Sequence, residues 1–111
     1  MNTRDIILAA AAIAMLLSFN GSATAAPALD TVLTPEFARM TGEINAAVER
    51  CGFKLRQSER VFTRIPEIYL DRRRDDLLNQ TATASQAFQE RYERDPIDAC
   101  DQARSRHGVF D

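Results

Sequence analysis

From residue 34 onward the apolar positions return every three or four residues, the spacing of helices that each bury one stripe. The first stretch opens at Thr34-Pro35-Glu36. It offers a hydroxyl cap, a proline where the missing N–H costs nothing, and an acid in the first turn. Phe37, Met40, Ile44, Val48 and Cys51 carry its stripe, and Gly52 stands where a left-handed terminating residue fits. The pattern predicts a helix over about 35–50 with Cys51 at its C-terminal end.

Phe53-Lys54-Leu55 reads as a short extended link before a second helix start at Ser58-Glu59. Val61, Phe62, Ile65, Ile68 and Tyr69 form the next stripe. Pro66 removes a backbone donor inside it, which predicts a separate first turn or a kink. Residues 71–76 are all charged. Leu77, Leu78, Thr81, Ala84, Ser85, Phe88 and Tyr92 then resume a helical rhythm that ends before Asp95-Pro96. Either one helix runs over 58–94 or two helices meet at the charged block.

Asp95-Pro96 repeats the cap-and-proline device of residue 34. Ile97, Cys100, Ala103 and His107 are the predicted inner face of the last helix, with Gly108 as its terminator. Val109 and Phe110 are expected to fold back as a closing contact. No strand alternation, internal repeat or low-complexity tract interrupts this reading. The predicted fold class is a small all-α bundle of three or four helices.

The N-terminus follows a different pattern. Ile6–Phe19 is a 14-residue apolar run broken only by Ser18, preceded by Arg4 and followed by Ala23-Thr24-Ala25. A charged start, an apolar middle and a small-x-small finish form the pattern of a secretory signal peptide. The run is short of the roughly 20 apolar residues that span a bilayer. The expectation is a cleavable leader over 1–25, a loosely ordered lead-in over 26–33 and a helical domain over 34–111. The mature chain would lie in the periplasm or outside the cell and meet a membrane only during export.

Export changes the meaning of the two cysteines. In an oxidising compartment a lone pair, Cys51 and Cys100, is expected to form a disulfide. That reinforcement suits the 86 residues after the leader, which include no Trp and only two Tyr. The charge balance, 14 bases against 16 acids, gives a net −2 and no overall attraction to nucleic acid or anionic lipid. The break question is affected as well. If 58–71 runs up and 75–94 runs down, Cys100 returns to the Cys51 end of the first helix, so a break near 71–75 is the favoured path.

Candidate chemistry is sparse. His107 is the only histidine, and Ser105, Asp101 and Asp111 near it share one helix turn or its end, which is not how a catalytic triad is assembled. Asp95, Asp98 and Asp101 recur every three residues, without the calcium loop or the His and Cys cluster of a metal site. Arg72-Arg73-Arg74, flanked by Asp71, Asp75 and Asp76, is the one conspicuous polar run. It is the candidate contact for an acidic or anionic partner, although the neighbouring acids also suit a self-paired corner. The expectation is a non-enzymatic exported module, with no cofactor or metal, that binds a protein or an envelope component. A small periplasmic stress chaperone is the alternative, suggested by size, helical content and a single long-range disulfide.

Overall fold

The computed structural model describes residues 28–111; the expected leader and residues 26–27 of the lead-in lie outside the described residues. The elements are a single turn α1 (Leu29–Val32), α2 (Pro35–Cys51), a 3-10 segment (Gln57–Thr63), α3 (Ile65–Asp71), α4 (Asp75–Arg94) and α5 (Pro96–Arg106). Among the described residues there is no strand, only an isolated antiparallel bridge between Leu55 and Phe110.

The helix boundaries rest on the local chemistry read above. The Phe37 N–H donates to Thr34 Oγ1 at 3.2 Å, and α2 stops at Gly52 in the left-handed region, φ 72°. The Asp98 N–H donates to Asp95 Oδ1 at 3.1 Å and opens α5. Pro66 separates the 3-10 segment from α3 for a traceable reason. It has no N–H to give the Phe62 carbonyl four residues back. That carbonyl accepts from Asn45 Nδ2 of α2 at 2.9 Å instead, so the interruption of one helix becomes a bond to another.

The chain breaks at Arg72–Arg74, which decides in favour of two helices across 58–94. It climbs through the 3-10 segment and α3, turns, and descends through α4. Helices α2 and α4 therefore run parallel: Arg39 Nη1 donates to Gln80 Oε1 at 3.1 Å, and eleven residues on Arg50 Nη2 donates to Gln89 Oε1 at 2.9 Å. Between these bonds Gly42 lets the helices touch. A Cβ built there would stand 2.1 Å from the Thr81 carbonyl oxygen and 3.2 Å from Ala84 Cβ. The core is made by Phe37, Ile44, Phe62, Tyr69, Leu77 and Phe88, with the rings of Phe37 and Phe62 stacked at 5.5 Å.

Two expectations need correction. The lead-in is not loose over 28–33: it forms α1, Val32 is fully buried, and the Tyr69 hydroxyl donates to the Val32 carbonyl at 2.6 Å. Ile97 is not on the inner face of α5. It is 77% exposed, and the buried face is Ala99 and Ala103, whose small side chains let α5 approach closely while the bulky one stays in solvent. The last helix stops just before Gly108, as expected, without a left-handed residue at its end. The helix ends into extended His107, which lays the following residues against 54–56. There the Arg56 N–H donates to the Val109 carbonyl at 3.0 Å, and the Asp111 N–H to the Lys54 carbonyl at 2.8 Å. Phe110 is buried, so the expected fold-back of the tail is present.

The Tyr69 bond makes a measurable claim. Burial pushes the phenol far above its ordinary value, so the neutral hydroxyl is the donor throughout the working range of pH. Tyr69→Phe leaves the Val32 carbonyl without its partner and is expected to cost about 1–2 kcal/mol. Hydrogen exchange should locate the loss in α1, while α4 keeps its protection; equal loosening of both would contradict the assignment.

Candidate functional site

The three arginines singled out by sequence lie together at the corner between α3 and α4, and backbone bonds fix their arrangement. The Arg74 N–H donates to the Tyr69 carbonyl at 2.9 Å and the Arg73 N–H to the Leu70 carbonyl at 3.1 Å. These two bonds close a Schellman turn, whose left-handed position usually holds glycine. Here it holds Arg73, at φ 57°. A non-glycine residue in that conformation costs about 1–2 kcal/mol.

The three side chains differ in their engagement. Arg74 is bound to Asp76 by two hydrogen bonds, Nε to Oδ1 at 3.0 Å and Nη2 to Oδ2 at 2.8 Å. Those bonds hold the Asp76 carboxyl below its ordinary value. Arg72 and Arg73 are exposed and make no ion pair among the described residues. Leu70, 64% exposed, sits within the same turn. The self-paired corner and the contact patch thus coexist: one arginine closes on its neighbour, and two present their forks outward beside a leucine.

A second polar cluster has no sequence signature. Glu43 of α2 is buried among cationic groups from two other elements. Arg106 Nη1 donates to both of its oxygens, at 2.8 and 2.9 Å. Arg91 Nη2 of α4 lies 3.6 Å from Oε1, and His107 Nε2 lies 3.3 Å from Oε2. The His107 N–H is poorly aligned with the carboxylate, so that contact is electrostatic more than a formed hydrogen bond. The Arg91 guanidinium also covers the Phe88 ring at 5.6 Å, where a flat, weakly hydrated cation is favoured. Burial pushes the Glu43 carboxyl up, but the His107 contact and the charges of His107, Arg106 and Arg91 outweigh it, leaving the carboxyl below its ordinary value.

His107 therefore belongs to an ion cluster that ties α5 to α2 and α4; Ser105 Oγ donates to the Gln102 carbonyl and is not part of it. Asp95 caps α5, and Asp98 accepts from Gln102 Nε2 at 2.9 Å, so two acids of the recurring trio have local duties. Among the described residues no group of three or more His, Cys, Asp or Glu side chains could hold a metal ion. Cys51 and Cys100 form the expected disulfide, their Cα atoms 5.9 Å apart across 49 residues of sequence. It fastens the end of α2 to the middle of α5 and is consistent with an oxidising compartment. No family model matches this chain, and neither the curated proteins nor the solved structures contain a match to it.

Proposed function

We propose that the protein is an exported, non-enzymatic helical module that binds another protein or an envelope component through the α3–α4 corner. The single observation that carries this reading is Arg73. A left-handed position suited to glycine holds an arginine instead, against backbone preference, and that arginine stands beside an exposed leucine and a second arginine that makes no ion pair among the described residues. Two outward guanidinium forks beside an apolar side chain suit a partner with carboxylate or phosphate groups next to an apolar anchor. The leader pattern of residues 1–25 and the disulfide support export.

The test separates stability from binding. Arg73→Gly relieves the backbone and is expected to stabilise the fold by about 1 kcal/mol. The same change should weaken capture of a partner crosslinked in the host to the tagged wild-type protein. A variant that is more stable and still recovers the same partner at the same yield would count decisively against the corner.

A second reading, a small periplasmic stress chaperone, is favoured by the Glu43 cluster, because a buried carboxylate joining three elements makes the fold acid-sensitive. It predicts that acid uncovers apolar surface and suppresses aggregation of a client. Dye binding and light scattering that stay flat from pH 7 to pH 2 would dispose of it.

A further inference from the structure

The Glu43 cluster lies against an arm that the disulfide divides unequally. Cys100 pins α5 at its middle, and everything after it, residues 101–111, is held by other means. The arm buries little apolar surface: Ala103 and Phe110, with Val109 half-buried. Phe110 touches Phe53 at 4.8 Å between ring centroids, and the Arg104 guanidinium lies 4.3 Å over the same Phe53 ring. The remaining attachment is polar. It consists of the ladder of residues 109 and 111 against 54–56, the bond from Arg56 Nη2 to the Gly108 carbonyl, and the Glu43 cluster. A segment with so few apolar contacts and so many exposed bonds belongs to the low-stability end of a fold.

Of these attachments, only the cluster has a carboxylate bonded directly to the arm, and it is nearly enclosed; Glu59, about as enclosed, reaches the arm only through Arg56. Around Glu43 stand Arg91 from α4, Arg106 from α5 and His107 just beyond it. On its own helix Arg39 and Arg50 are turned to Gln80 and Gln89, and the 3-10 segment, which also packs on α2, keeps its own pair, Arg56 with Glu59. Glu43 is thus the one negative charge between the Arg91 and Arg106 guanidiniums, with the His107 ring beside it. With it ionised, the two guanidiniums are gathered; with it protonated, they repel one another across the joint.

We propose that Glu43, Arg91, Arg106 and His107 form an acid-released latch: protonation of Glu43 frees residues 101–111 from α2 and α4, and the Cys51–Cys100 bond confines the opening to that arm. The arm then uncovers Leu55 and the Phe53 ring while the bundle stays folded. The sign follows from the lowered carboxyl. Its stabilisation is complete above the ordinary carboxylate value and is lost as pH falls through the lower folded value. The latch therefore stays closed near neutrality and opens only in strong acid. This inference rests on neither functional reading, since it needs no partner and no client.

Peptide-resolved hydrogen exchange of the oxidised protein, corrected for the pH dependence of the chemical rate, tests it. On going from pH 7 to about pH 3, protection of 101–111 should fall by roughly tenfold or more relative to that of 75–94. Glu43→Gln should show the same release already at pH 7. Unchanged relative protection, or a loss spread evenly over α2, α4 and the arm, overturns the proposal. If Glu43→Gln does not fold, Arg106→Gln replaces it, since the Arg106 side chain is half exposed. That variant should loosen the arm at pH 7, and an arm as tight as the wild type's would equally overturn the latch.

Discussion

Replacing the bridge by Cys51→Ser with Cys100→Ser is expected to lower the unfolding free energy by about 4 kcal/mol, from the chain entropy of a loop of some 50 residues. Domains of this size have roughly 4–13 kcal/mol in total, so the variant should sit near the edge of folding. Geometry gives a second reason for a large effect. The bond is the only covalent tie between α2 and α5, and α5 adds only Ala99 and Ala103 to the core. Urea unfolding of the oxidised protein, the reduced protein and the double serine variant measures it. Reduced wild type and the variant should share one midpoint, well below that of the oxidised form. A difference under about 1 kcal/mol would mean that the reduced chain already keeps these ends together.

Gly42→Ala is expected to destabilise by about 3 kcal/mol, at the upper end of overpacking costs. Helix propensity alone points the other way, since alanine in a helix interior is better than glycine by about 1 kcal/mol. Packing wins because the group in the way is backbone. The new methyl would meet the Thr81 carbonyl oxygen at 2.1 Å and its carbon at 2.9 Å, and neither moves unless α4 moves. The other two glycines among the described residues calibrate the experiment. Gly108 has open space around its Cβ position, so Gly108→Ala should change little. Gly52 is also uncrowded but adopts φ 72°, so Gly52→Ala should cost about 1 kcal/mol from conformation alone. Thermal unfolding of the three variants checks the order; a Gly42→Ala protein as stable as the wild type would mean that α2 and α4 are not in contact there.

Features encoded within one helix turn were legible in the sequence. The starts at Thr34-Pro35 and Asp95-Pro96 and the stop at Gly52 are each decided by a few neighbouring atoms, and each is found where it was expected. The break at 72–74 was legible for another reason: the disulfide required Cys100 to come back to Cys51, and a charged block lay where the turn was needed. Features made by distant pairs left no such trace. Glu43 meets Arg106 across 63 residues, and nothing around either one announces the other. The inner face of α5 is hidden because bulk is not the sign of burial there. The interior there wanted alanines that allow close approach, and Ile97 was left outside. The order of the lead-in is equally hidden, since the anchor of Val32, the Tyr69 hydroxyl, comes from 37 residues away. At the candidate corner the arginines were found from the sequence, but the left-handed backbone at Arg73 was not, because a Schellman turn normally advertises itself by a glycine.

The parallel course of α2 and α4 has a kinetic meaning. In an up-and-down bundle each helix finds its partner in the next one made, whereas here α2 must wait until the 3-10 segment, α3 and then α4 exist. The largest interface of the fold is therefore a late one during synthesis, and α2 emerges with its apolar stripe uncovered for that interval. For a helical protein of this length, folding should be slow, because the contacts that matter most lie far apart along the chain.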